Sequence, residues 1–233
     1  MFKNPDALRN SCSIGNNTLE CMNLLTEDEL NFLDLKTLDV YYQKGEMICK
    51  QGTFASHIMI LHEGLVKSFL EGNNENLILQ IFAPINIIGL ANLYEGSTIF
   101  HHSVQAYIDS RVSLVEMSAI KQTIQSNPKF ASKMISVLAE QKIITSGRFF
   151  CLTKKQTYGR LADVILCLAN RIYKTSKFPI QLSRKDFADL SGMSVESIAR
   201  IFTKFKADGL IEFNNEYLEI LDIEMLNKIS QKG

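Results

Sequence analysis

From residue 46 to residue 115 the apolar positions come in short runs cut by glycines. Glu46–Cys49, His57–Leu61, Leu65–Leu70, Asn76–Phe82, Ser103–Tyr107 and Ser110–Val115 are separated by Gly45, Gly52, Gly64, Gly72 and Gly89. Runs of this length between turn residues predict strands, and their regular spacing predicts a barrel or jelly roll. Ahead of them Thr26-Glu27-Asp28-Glu29 forms a capping box that opens a helix predicted over 26–38.

After residue 127 the period changes from strand to helix. Asn127-Pro128 puts proline in a first helical turn, and apolar residues then recur at broadly three-four spacing as far as Leu152. Such a helix, about 25 residues and nearly 38 Å long, either packs on its own barrel or pairs with the same helix of a second copy. The second reading makes Phe130, Met134, Val137, Leu138, Gln141, Ile144 and Phe149 the candidate dimerisation residues. Lys154-Lys155-Gln156 predicts a break, and Thr157–Tyr173 resumes helix with Leu161, Val164, Ile165, Leu168 and Ile172 on one face.

The last third carries the most specific pattern. Ile180–Leu182 predicts a short strand, and Ser183-Arg184-Lys185-Asp186 caps a helix over 184–190. Ser191-Gly192-Met193 is a turn, and Ser194 caps a second helix over 195–208 with Ile198, Ile201, Phe202 and Phe205 inward. Two short helices joined by a glycine-containing turn predict a helix-turn-helix. Leu210–Phe213, Asn214-Asn215 and Tyr217–Ile220 predict a hairpin behind it. The whole is a winged helix.

Charge divides along the same line. The chain has 233 residues with 25 Lys+Arg and 25 Asp+Glu, yet residues 1–127 carry 8 basic against 14 acidic and residues 128–233 carry 17 against 11. An acidic half joined to a basic half suits one domain that senses and another that meets a polyanion. Three domains follow: 1–127 for sensing, 128–155 for dimerisation and hinge, and 156–233 for DNA. No apolar run approaches the roughly 18 residues of a membrane span, and the N-terminus lacks a signal-peptide core, so a cytoplasmic protein without membrane attachment is expected. Five cysteines at scattered positions make a poor disulfide framework.

The second helix of the winged helix would present its first turns to base edges. Val195 can pack on a thymine methyl, Glu196 can accept from cytosine and Arg200 can donate to guanine. Glu196 can also hold Arg200, four residues on. Ser194, Ser197 and Ala199 share that end of the helix, and Arg184, Lys185 and Lys204 are candidate phosphate contacts.

The order of barrel, long helix, Ser194-Val195-Glu196-Ser197-Ile198-Ala199-Arg200 and wing resembles the CRP/FNR family of bacterial transcription regulators over roughly residues 20 to 230. Lys44-Gly45-Glu46-Met47-Ile48, Gln51-Gly52, Ile58 to Lys67 and Ile88-Gly89 resemble its barrel. Leu152-Thr153-Lys154-Lys155 with Gly159-Arg160-Leu161-Ala162 is similar to the hinge of its FNR branch. The resemblance implies a homodimer on a palindrome of TTGA-like half-sites about 34 Å apart, with RNA polymerase as the protein partner. Ala199 stands where that branch often has serine.

The resemblance also tests the effector. In the cyclic-nucleotide branch a Gly-Glu-Leu turn followed by Arg-Ser holds ribose and phosphate. Here the matching residues are Gly89-Leu90-Ala91 and His101-His102-Ser103, without the carboxylate or the arginine. Cyclic AMP is not expected, although Thr145 and Ser146 match helix positions that touch adenine. The iron-sulfur branch needs four ligands, and only Cys12 and Cys21 lie near the N-terminus, with Val115 at the barrel position. The usual cluster is not expected; a thiol switch at Cys12 and Cys21 stays open. His101 and His102, near Tyr94 and Phe100, are candidate ligands for haem. No metal site is assigned, and the effector is unknown.

Two other classes compete. A cyclic-nucleotide-binding module acting on a protein partner would leave the winged helix without a use. A cupin-like enzyme wants converging histidines, and His57 and His62 fall on opposite faces of one strand.

Overall fold

A computed structural model describes residues 19–72, 76–96 and 98–232. It divides into two compact units. Among the described residues, one takes those up to Glu71 together with Gln80–Lys142, and the other takes those from Gly72 to Leu79 and from Ile143 onward. The division at 142/143 falls inside the long helix, where the sequence suggested boundaries at 127/128 and 155/156.

In the first unit α1 (Glu27–Asp34) opens on the expected box, with the Thr26 side chain accepting from the Glu29 N–H. It ends four residues before the predicted Leu38. The hydroxyl of Thr37 donates to the Leu33 carbonyl at 2.7 Å, and the β-prone Thr37–Tyr42 becomes strand β1. The remaining strands are β2 (Met47–Cys49), β3 (His57–Glu63), β4 (Val66–Leu70), β5 (Leu77–Phe82), β6 (Asn86–Ile88), β7 (Ser103–Ala106) and β8 (Ser110–Glu116). They form two four-stranded sheets, ordered β1-β8-β3-β6 and β2-β7-β4-β5. The arrangement is a jelly roll of two packed sheets, not a closed barrel.

Strand β3 explains the packing. Met59 and Leu61 face the second sheet, beside Val66, Phe82 and Val104. Ile58 and Ile60 face the other way, onto Leu33, Ile120, Phe130, Met134 and Val137. A strand covered on both faces has no polar face, so its sequence reads as an unbroken apolar run. The covering layer includes α2 (Met117–Ser126), a helix the strand-and-helix pattern does not predict, and the start of α3 (Pro128–Lys154). Asn127 caps α3, its side-chain oxygen accepting from the Phe130 N–H at 3.0 Å.

This packing corrects the dimerisation set. Phe130, Met134 and Val137 belong to the core of their own unit, Leu138 packs against that core, and Ile144 is 5% exposed. The Gln141 amide donates to the Ile87 carbonyl at 3.4 Å. Of the seven, Phe149 faces outward, at 69% exposure. The other large exposed apolar residues of α3 are Ile135, Ile143 and Phe150, on the same side as Phe149 and away from that core.

In the second unit α4 (Thr157–Cys167) continues as a π-helical turn over Leu168–Tyr173. Strand β9 is Lys177–Pro179, ahead of the predicted Ile180–Leu182. It pairs with the hairpin strand β11 (Tyr217–Ile220), whose other neighbour is β10 (Ile211–Phe213). Helices α5 (Arg184–Ser191) and α6 (Val195–Ala207) lie where predicted, and α7 (Ile223–Lys232) was not anticipated. Among the described residues no helix is long and apolar enough to cross a membrane.

Candidate nucleic-acid interface

The turn between α5 and α6 is fixed from both sides. Ser183 and Asp186 exchange hydrogen bonds in a complete capping box at the start of α5. Its last turn closes at Gly192, where φ is +57° and a Cβ would meet Leu152 Cδ2 at 3.0 Å. Only glycine meets both conditions without strain. The Arg160 guanidinium donates to the Gly192 carbonyl at 3.1 Å. Arg160, part of the hinge motif, is thereby a positioning residue for the turn.

Helix α6 begins at Ser194, whose hydroxyl oxygen accepts from the Ser197 N–H at 3.2 Å. Its inner stripe is as expected: Ile198, Ile201, Phe202 and Phe205 are all buried. Phe202 packs edge-to-face on Phe187 and Phe213, with ring centroids 5.2 and 5.1 Å apart. These contacts tie α6 to α5 and to the wing, so the outer stripe is held on a rigid support.

That outer stripe contains Val195, Glu196, Arg200, Thr203 and Lys204, all exposed, with Ser197 and Ala199 half-buried beside them. Thr203 was not singled out from the sequence, although it lies three residues beyond Arg200 on the same face. Glu196 does not hold Arg200. Its own backbone N–H, and then the Ser194 side chain, engage its carboxyl and keep its pKa below the usual value. The free N–H groups of a helix start compete for a carboxylate in the first turn. Arg200 is in no ion pair among the described residues and is available to a ligand.

The phosphate candidates are less free. Lys185 Nζ lies 2.9 Å from Asp189 Oδ1, and Lys204 Nζ lies 2.8 Å from Asp208 Oδ1. Both lysine side chains are more than half exposed, so these pairs are weak and exchange readily for phosphate oxygens. Arg184 is exposed beside them.

The candidate effector residues are not gathered in the same way. Thr145 and Ser146 are exposed on the part of α3 that belongs to the second unit, and the others belong to the first. Leu90 is in the core and Ala91 is exposed. The Ser103 hydroxyl donates to the Glu71 carboxylate and accepts from the Gln51 N–H at 2.8 Å. A carboxylate at that hydroxyl, with no arginine beside it, repels an anion, so these residues do not fit a cyclic phosphate.

His101 is exposed, and His102 is held toward its neutral form by burial and then by His101. Among the described residues no group of three or more His, Cys, Asp or Glu is placed to hold a metal ion. Cys21, Cys49 and Cys151 are buried thiols outside any disulfide. Cys12 lies outside the described residues.

Comparison with known proteins places both units. Residues 159–229 match the Crp-like helix-turn-helix domain family and residues 39–127 match the cyclic nucleotide-binding domain family. Electron transport regulator A of Shewanella oneidensis is 27% identical over 226 residues, which cover 94% of this chain and 88% of that protein. The transcriptional activator protein FnrA of Stutzerimonas stutzeri is 22% identical over 204 residues, 83% of each chain. The solved structure of FixK2 from Bradyrhizobium japonicum shares the fold, with a TM-score of 0.77 at 19% identity over 84% of this chain and 98% of that one.

Proposed function

Because this chain belongs to the CRP/FNR family of DNA-binding transcription regulators, we propose that it binds a palindromic site as a homodimer and reads TTGA-like half-sites through α6. The observation that carries this reading is the outer stripe of α6. It presents Val195, Glu196 and an unpaired Arg200 together on a helix whose opposite face is locked into the core. Val195 packs on a thymine methyl, Arg200 takes guanine O6 and N7, and Glu196 accepts from cytosine N4. Arg184, Lys185 and Lys204 supply the sequence-independent phosphate contacts.

The exposed stripe of α3 supports the dimer. Ile135, Ala139, Ile143, Ser146 and Phe150 recur at four-four-three-four spacing, with Phe149 alongside. Four of these six are large apolar side chains open to water in a single chain, and burying them against a second copy is favourable. An effector in the jelly roll would act by favouring one packing of the paired helices and so one spacing of the two α6 helices. RNA polymerase is the protein partner in this reading, and whether transcription rises or falls depends on where the site lies.

A gel-shift experiment with a TTGA-N6-TCAA duplex tests the proposal. The wild-type chain should shift it, and the Glu196→Ala, Arg200→Ala double variant should not. A double variant that still binds this duplex as tightly as wild type would remove α6 as the reader.

A further inference from the structure

The first unit holds a cavity of about 470 Å³, lined where the start of β3, the short 3-10 turn Leu90–Leu93 and the start of α2 come together. None of the candidate effector residues lines it. Its polar wall includes Ser56, His57, Asn92, Glu116, Ser118 and Lys121.

Two independent features of that wall point to a guest. Asn92 is 3% exposed, and neither its amide oxygen nor its amide nitrogen has a hydrogen-bond partner. A buried amide without partners is costly to keep, so a donor and an acceptor at that point would relieve a real deficit. Gly89 allows the close approach: its φ is +93°, and a Cβ there would stand 3.3 Å from the Asn92 nitrogen.

The second feature is the N-terminus of α2. This ten-residue helix has no side-chain cap and no acidic residue in its first turn. The Met117 N–H is taken by the Ser56 carbonyl at 2.9 Å. The N–H groups that follow have no partner within the helix and carry its positive end. Lys121, one turn further on, is in no ion pair among the described residues. Together they favour an anion.

The remaining groups limit its charge. Glu116 stands at the helix start, and Lys36 Nζ lies 3.5 Å from its carboxylate while the Ser118 hydroxyl donates to it at 3.3 Å. The Ser56 hydroxyl and His57 Nδ1 are paired at 2.6 Å. One uncommitted cation beside a countered carboxylate suits a single negative charge and disfavours a dianion.

We propose that this cavity binds a small organic carboxylate that also carries a hydroxyl or amide group. The carboxylate meets the start of α2 and Lys121, and the second polar group meets the Asn92 amide. The volume is many times the roughly 30 Å³ share of one water, so the site has room for such a molecule. The inference concerns binding alone and stands apart from DNA recognition.

Calorimetric titration of the full chain, without DNA, tests it with lactate, acetate and inorganic phosphate as probes. Lactate should bind in the millimolar range or tighter, acetate more weakly and phosphate not measurably. Lys121→Gln, a change at a half-exposed position, should weaken lactate about tenfold, the loss of one charge-assisted contact. Asn92→Leu should remove the preference for lactate over acetate without lowering the thermal midpoint of the unliganded protein, because an unpaired amide goes with it. No heat with lactate, equal lactate affinity in Lys121→Gln, tighter binding of phosphate, or a lowered midpoint in unliganded Asn92→Leu would each overturn the proposal.

Discussion

Glu196 shows how one residue can be assigned to the right face and the wrong partner. Its spacing from Arg200 is correct for a pair, but the helix start offers its carboxyl nearer donors, and no alternation of polar and apolar residues encodes that competition. The inner stripe of the same helix was fully legible, because burial follows the 3.6-residue period. Thiols give a residue-scale prediction of their own. Burial pushes Cys21 up from 9.0 to about 11, and Cys49 and Cys151 to about 12. Between pH 9 and those values the folded chain keeps protons that the unfolded chain has lost, so stability is fully present below pH 9 and falls as pH rises through that window. Thermal midpoints measured from pH 7 to pH 11 should be flat at first and then decline. In the folded protein these three thiols should resist alkylation at neutral pH and react once the chain is unfolded.

Elements were legible where they carry their own punctuation. The capping boxes at Thr26 and Ser183, the Gly192 turn and the Asn214-Asn215 hairpin all appear in the structure as the sequence predicts. The first two residues of β1 fall inside the predicted helix because Lys36 to Leu38 carries no glycine or proline stop. Helix α2 follows β8 without a loop and caps on Glu116 without a side-chain bond, so neither end advertises itself. The candidate dimerisation residues fall mostly on the core side of α3 for a related reason. Helix α3 has apolar residues on two sides, and three-four spacing alone does not say which side the chain uses for its own core.

The break at Lys154-Lys155-Gln156 was also legible, but its chemistry was not. Lys155 Nζ lies 2.9 Å from Asp163 Oδ1 and 3.2 Å from the Ser230 hydroxyl, and both members of the ion pair are nearly fully buried. Cys151 donates to the other Asp163 oxygen at 3.1 Å. This cluster ties the end of α3 to α4 and α7. Removing one charge of a buried pair leaves the other uncompensated, so Lys155→Ala should cost roughly 3–5 kcal/mol in denaturant unfolding. A loss below about 1 kcal/mol would mean that Asp163 is readily rehydrated.

The neutral total of the whole chain hides an acidic N-terminal part and a basic C-terminal part, and that asymmetry is the most economical sign that one end meets a polyanion. Assembly belongs to the same scale. If α3 pairs through its exposed stripe, Ile143→Asp with Phe150→Asp should give a monomer by sedimentation while leaving the fold intact by circular dichroism, since both side chains are already open to solvent. A variant that remains dimeric would send the interface elsewhere. The most direct test of the central reading is an anisotropy titration of wild type and Arg200→Ala on a TTGA-N6-TCAA duplex and on one with the guanines replaced, repeated across salt concentrations. Loss of a bidentate guanine contact is worth about 1–3 kcal/mol, roughly 5- to 150-fold. Wild type should bind the intact duplex more tightly by that factor for each half-site, with affinity falling steeply as salt rises, and Arg200→Ala should bind both duplexes alike. Equal affinity of the wild type for the two duplexes, or a flat salt response, would contradict the assignment of α6 as the sequence reader.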